Sequence, residues 1–236
     1  RRMNRSLIMW PDVQKMSKSR GNVIDPDEVV ERLGSDTVRM YLAFIGPYNE
    51  VSNYPWNPDG VVGVRRFLER IGKVQDMVTD TEVKSLNGPL HKALKKVGED
   101  ILALKFNTAI SQMMILLNAI EKEKAIGAQQ WKTLVLMLAP FAPHLAEELW
   151  SQLGHTASVH LESWPTYEET YLQDESVTIG IQIDGKTRGE VTVPTDATKE
   201  TVEIAAREVV GSKLLDAKIA RVVVVPNRLV NFVLEH

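Results

Sequence analysis

The chain has no cysteine. Disulfide frameworks and thiolate metal sites are therefore excluded. Its five histidines are scattered, without the spacing of an imidazole metal centre. No apolar run approaches the roughly 18 residues that a membrane helix needs, and nothing reads as a signal peptide. Strong charge of either sign is missing too, since 28 Lys+Arg stand against 31 Asp+Glu for a formal net charge of -3. No global basic field announces a nucleic-acid partner, although local basic patches can still hold a large RNA. Internal repeats and low-complexity tracts are absent. What remains is ordinary: 236 residues, 44% of them hydrophobic, enough for a real core in one or two domains. A cytosolic protein with no membrane association is the expectation.

The most informative stretch is Lys15-Met16-Ser17-Lys18-Ser19, followed by Arg20-Gly21-Asn22. It gathers two ammonium groups, two hydroxyls, a guanidinium and a glycine. Such groups can neutralise a polyphosphate, and Gly21 lets backbone N–H groups approach an anion. A solvated loop without a ligand is the alternative on composition alone. Just beyond, Asp25 fits a helix N-cap, Pro26 the first turn and Glu28 a D-x-x-E capping box.

Residues 1–57 read as a first unit. A short strand is expected over 6–10 and a helix over 25–33, stopped by Gly34. Ser35 is expected to cap a second helix reaching Ile45, and 48–57 to be irregular. Residues 58–154 read as five amphipathic helices with short loops, an α-helical bundle. Asn57 opens the first, Pro89 lies near the start of the second, Asn107-Thr108 caps the third, Pro140 ends the fourth and Pro143 opens the fifth. Met113 and Met114 sit at core spacing and read as packing. Residues 155–175 look like a polar linker, with an acidic patch at Glu168, Glu169, Asp174 and Glu175. Over 176–233 the period switches to alternation. Two strands flank an Asp184-Gly185 hairpin turn, with Gly189 at a bulge. A helix over 198–210 shows Val202, Ala205, Ala206 and Val209 on one side. A short helical turn at 212–216 and two further strands, split by Pro226-Asn227-Arg228, complete a small α+β domain with a mixed sheet. Residues 234–236 read as a tag remnant.

Basic side chains cluster on the first two bundle helices: Arg65, Arg66 and Arg70, then His91, Lys92, Lys95 and Lys96. Either they contact RNA phosphates, without sequence readout, or they form an ordinary solvated face. In the tail, Lys186 and Arg188 lie two apart on a strand and so are expected to share a face. They are an RNA contact or the charged defence of an edge strand. Arg228 in the last turn is similarly open. His144 reads as a capping or packed histidine.

The motif K-M-S-K-S-x-G-N resembles the second signature of class I aminoacyl-tRNA synthetases. Asp25-Pro26-Asp27-Glu28-Val29-Val30, Gly34 to Leu42 and Gly46-Pro47 are similar to the bacterial leucyl-tRNA synthetases. Pro140 to Trp150 resembles the last helix of the anticodon-binding-type bundle shared with valyl and isoleucyl relatives. Gln182 to Gly189, Val193 to Ala197 and Pro226 to Asn231 resemble the leucyl terminal domain, with Asp184 where the usual form has Asn. The resemblance implies the end of a class I catalytic domain carrying the loop, then the bundle, then an α+β C-terminal tRNA-binding domain. It implies Lys18 as the main ATP-phosphate contact, with Lys15, Met16, Ser17 and Ser19 shaping the loop. For the parent enzyme it implies ATP with Mg2+, leucine, leucine tRNA, a monomer and a cytoplasmic location. The chain itself is expected to be an inactive C-terminal fragment that binds no metal. A freestanding tRNA-binding module, or a piece of a valyl or isoleucyl enzyme, is the alternative.

Overall fold

The computed structural model describes residues 6–48, 50, 52–172, 176–195, 197–211, 214 and 218–235. Arg1 to Met3, Asp174, Glu175, His236 and, Leu214 aside, the turn expected over 212–216 lie outside these residues. The chain forms two compact units, Arg1–Leu172 and Gln173–His236.

The first unit opens on β1 (Ser6–Met9), which pairs in parallel with β2 (Ser52–Pro55). The stretch expected to be irregular thus contains a strand. Four residues without alternating apolar character gave no local signal, and the pairing partner lies over forty positions away. Between the strands run α1 (Pro26–Leu33) and α2 (Ser35–Phe44). Asp25 caps α1, accepting from the Asp27 N–H at 3.0 Å rather than from Glu28. The cap of α2 is Gly34, not Ser35; its φ of +88° suits a residue without Cβ. Trp56 lies edge-on to the buried Tyr41, with ring centroids 4.9 Å apart, so this aromatic packs under its loop. Burial pushes the Tyr41 phenol up, partly offset by the Asn57 N–H it accepts.

The bundle comprises α3 (Pro58–Val74), α4 (Asn87–Leu102), α5 (Phe106–Glu123), α6 (Ala128–Leu138) and α7 (Pro143–Gln152). Asn57 caps α3 through the N–H groups of Asp59 and Gly60. Asn107 and Thr108 lie inside α5 instead of capping it. The break before α5 is made by Leu104, at φ +59°, and by Asp100, whose carboxylate accepts from Thr108 Oγ1 at 2.6 Å. Val61, Val64, Phe67, Leu94, Ile110, Met113, Leu117, Trp131, Leu138 and Trp150 share one core with Val38, Met40 and Tyr41 of α2. The loop-bearing segment and the bundle therefore form one packed body. Two short strands, β3 (Val78–Thr79) and β4 (Ile126–Gly127), pair in parallel across the bundle.

Residues 155–172 are packed rather than free as a linker. Val159 is buried in the bundle core, and Glu147 of α7 accepts from Ser158 Oγ and from the Val159 N–H. Glu168 donates its N–H to His91 Nδ1 at 2.9 Å. Polar composition concealed this because one buried valine and two backbone bonds do the anchoring.

In the second unit β5 (Ser176–Ile183) and β6 (Lys186–Pro194) form the hairpin, α8 (Lys199–Val210) follows, then β7 (Ile219–Val225) and β8 (Leu229–Leu234). The sheet order is β6-β5-β8-β7, with β5 and β8 parallel and both other pairs antiparallel. Ile179, Ile181, Val193, Val230 and Phe232 pack under Val202, Ala206 and Val210 of α8. Val210, not Val209, faces the core; Val209 is half exposed. The bulge falls where Ile181 pairs with Gly189 but Gln182 pairs with Thr187, which leaves Arg188 as the extra residue. Strict alternation therefore breaks between Lys186 and Arg188, so their spacing of two does not place them on one face.

Candidate functional site

The loop after β1 is built from short-range bonds. Trp10 and Val13 close a tight turn, Trp10 N–H to Gln14 O at 2.9 Å and Val13 N–H to Trp10 O at 2.8 Å. Val13 takes φ +68°, a strained conformation for a β-branched residue. Lys15 bridges back to Met9. Residues Lys18–Arg20 then form a single tight helical turn, ended by Gly21 at φ +65°. Asn22 staples the loop. Its Oδ1 accepts the Ser17 N–H at 2.8 Å, and its Nδ2 reaches the Lys15 carbonyl at 3.4 Å. Ser17 and Ser19 hydroxyls meet at 2.8 Å. Lys15, Lys18, Ser19 and Arg20 are exposed, while Met16 and Ser17 are half-buried. The result is a braced loop with its cations turned to solvent, able to meet a polyphosphate.

The basic helix residues are mostly engaged with the protein itself. Arg65 reaches the Leu33 carbonyl at the end of α1 at 2.8 Å and Glu69 at 2.7 Å. Arg70 forms a two-pronged pair with Glu121 of α5, at 2.9 and 2.5 Å, and donates to Asn118. The Arg70 hydrogen bonds hold the Glu121 carboxyl below its usual range; partial burial opposes this and the charge of Arg70 adds to it. Lys96 pairs with the buried Asp100 at 2.6 Å, and Lys95 lies 5.4 Å from the Tyr167 ring centroid. Lys92 is half-buried and has a partner of its own. Arg66 is exposed and, among the described residues, makes no hydrogen bond or ion pair.

In the second unit the hairpin turn has Asp184 at φ +47° and Gly185 at φ +76°, the two positive values that a two-residue turn of this hand demands. Asp184 accepts the Leu234 N–H at 3.0 Å, and Asn231 accepts the Gly185 N–H at 3.1 Å. The turn is thereby tied to β8. Lys186, Arg188 and Arg228 are all exposed, the first two beside this turn and Arg228 in the β7–β8 turn.

The family model described as the anticodon-binding domain of tRNA ligase matches residues 84–204. That is more than half of the chain. The chain belongs to this tRNA ligase family. The model of class I tRNA synthetases (I, L, M and V) matches residues 3–53, which contain the loop. A leucine–tRNA ligase of Herpetosiphon aurantiacus is 43% identical, across all of this chain and 30% of that protein. A crystal structure of the ternary complex of an Agrobacterium radiobacter LeuRS with tRNA and LeuAMS superposes with a TM-score of 0.77 at 30% identity, over 99% of this chain and 33% of that one. The chain thus spans about a third of the length of the relatives it matches. Among the described residues, no helix is long and apolar enough to cross a membrane.

On this tRNA ligase chain the structure ties Lys15, Ser17 and Ser19 into one loop that carries Lys18, but engages most of the basic helix residues with separate internal partners. Sequence reasoning missed the stapling work of Asn22, for which the signal was present: an Asn after Gly is prone to bond nearby backbone. It also missed Asp36. This buried carboxylate of α2 caps α7 from outside, accepting the Leu145 N–H at 2.8 Å and His144 Nδ1 at 2.7 Å. His144 is thus a partner of the cap rather than the cap. Ser35 Oγ also lies 3.4 Å from His144 Nδ1. Serine and aspartate meet the same ring nitrogen, whereas a nucleophilic triad needs them on opposite ones.

Proposed function

We propose that this chain supplies the ATP-phosphate loop and the tRNA-docking modules of a leucine–tRNA ligase, which joins leucine to leucine tRNA at the expense of ATP. The observation that carries this reading is a Lys15–Ser19 loop, braced by Asn22 and exposing Lys18, within a chain 43% identical throughout to a leucine–tRNA ligase. Activation of leucine builds charge on the departing pyrophosphate, so the protein contributes placement and charge stabilisation. Lys18 would meet a phosphate oxygen; at about 4 Å and an effective dielectric near 20, that pair gains about 4 kcal/mol, and less where water intrudes. Lys15, Met16, Ser17 and Ser19 would set the loop's shape, and Asn22 would hold Ser17 in register. Mg2+ enters this reading only with the nucleotide.

For the tRNA, Arg66 and Lys95 on the bundle and Lys186 and Arg228 in the terminal unit are the phosphate contacts this reading favours; Lys92 and Arg188 already interact within the chain. Arg65, Arg70 and Lys96 serve chiefly the fold, because each already meets an internal acceptor. The test is filter binding of the chain to leucine tRNA and to valine tRNA, from low to high salt. Expected are binding that weakens steeply with salt, by the release of counterions, and a preference for leucine tRNA. Binding that ignores salt, or no binding in dilute buffer, refutes the tRNA part of this reading.

A further inference from the structure

We propose that a hollow on α4, walled by the 164–167 stretch, receives one unstacked nucleobase of the bound tRNA, with Trp164 as its stacking platform. This deepens the proposed function and rests on its tRNA part. The hollow has a volume of about 650 Å³, within the usual range for sites that take small ligands or single bases. Its walls hold two aromatic rings that stay partly in solvent, Trp164 at 40% and Tyr167 at 38% exposure. Leu102, 87% exposed, adds apolar surface at the rim. Two half-exposed aromatic rings in one concavity form an apolar patch of the kind that marks a binding site, and their faces suit a planar occupant.

Gly98 explains how the platform reaches the helix. A Cβ there would lie 3.3 Å from Trp164 Nε1, so only a glycine lets the indole settle against α4 without displacement. Lys95, one turn earlier, stands over Tyr167 and is placed to meet the phosphate next to an inserted base. Lys92, one turn before it on the same helix face, already has a partner, and Lys96 pairs with Asp100. Glu99 is the acidic group of the wall. A carboxylate there opposes phosphate but accepts from an exocyclic amine, which favours adenine, cytosine or guanine over uracil. Aromatic stacking beside a cation is the chemistry by which proteins hold splayed RNA bases. An apolar peptide side chain would use the same rings and leave Lys95 and Glu99 without a role.

Two measurements on the full chain test this. The first is tryptophan fluorescence with hexaadenylate, hexauridylate and an abasic hexamer as probes, in wild type and Trp164→Phe. Expected is quenching by hexaadenylate, weaker quenching by hexauridylate, none by the abasic strand, and loss of the signal in Trp164→Phe. The second is affinity for leucine tRNA. Trp164→Ala should weaken it about tenfold at an unchanged salt slope, since no phosphate contact is lost. Trp164→Phe should recover most of the loss, and Lys95→Ala should lower the salt slope by about one. Melting temperatures of each variant separate misfolding from lost stacking, and Tyr167→Ala provides a second lesion in the same wall. Wild-type tRNA binding with no effect of Trp164→Ala or Tyr167→Ala overturns the hollow while the tRNA reading stands. Trp164-dependent quenching by hexaadenylate without tRNA binding does the reverse. Quenching by a leucine-rich amphipathic peptide and not by RNA overturns the proposal.

Discussion

Replacing Asn22 by Ala removes the brace of the Lys15–Ser19 loop without touching any of its cations. The wild-type Oδ1 accepts the Ser17 N–H at 2.8 Å, a well-formed bond. The bond from Nδ2 to the Lys15 carbonyl, at 3.4 Å, is too long to contribute much. One good bond in a half-buried setting is worth about 1 kcal/mol, or about fivefold in the ratio of braced to open loop. If ATP binds only that form, and the open loop predominates without ATP, its apparent affinity falls by the same factor. The assay is leucine-dependent ATP–pyrophosphate exchange in a full-length ligase carrying this chain, titrated with ATP. Asn22→Ala should raise KM for ATP about fivefold and leave the rate at saturating ATP near wild type. A wild-type KM, or a loss that saturating ATP does not restore, refutes the bracing argument.

Asp36→Ala removes the cap that α2 places on α7 and leaves the Leu145 N–H without its acceptor; unit 1 should lose about 1–2 kcal/mol, read as a lower denaturant midpoint. The Arg70–Glu121 pair makes a pH prediction. Glu121 has a lowered pKa in the fold, so its stabilisation is complete above the ordinary carboxylate pKa and is lost as pH falls through the lowered value. The melting temperature of wild type should therefore exceed that of Glu121→Gln near neutral pH, and the gap should close in acid. It should be small, because both side chains are a third or more exposed. Val13→Asn, which tolerates a φ of +68° without the added unfolded-chain freedom of glycine, should raise the melting temperature; an unchanged or lower value contradicts strain at this position.

Much of this fold was legible because its signals are local. Asn57-Pro58 and Pro143 start helices, Gly34 ends one, and Asp184-Gly185 turns a hairpin, each through a backbone preference carried by the residue itself. The five bundle helices followed from apolar spacing. What escaped was decided by distant partners. The strand over Ser52–Pro55 forms because β1 lies beside it, and residues 155–172 are packed because Glu147 and the bundle core hold Val159. The site divides the same way. The loop's exposed cations were plain in five consecutive residues, whereas the basic helices misled. Composition cannot distinguish an arginine facing solvent from one paired with Glu121 forty or more residues away.

In the proposed function Lys18 grips the nucleotide's phosphates. In the full-length ligase, Lys18→Ala should slow leucine-dependent ATP–pyrophosphate exchange by on the order of a hundredfold, the loss of about 3 kcal/mol of transition-state stabilisation. An exchange rate equal to wild type would contradict it.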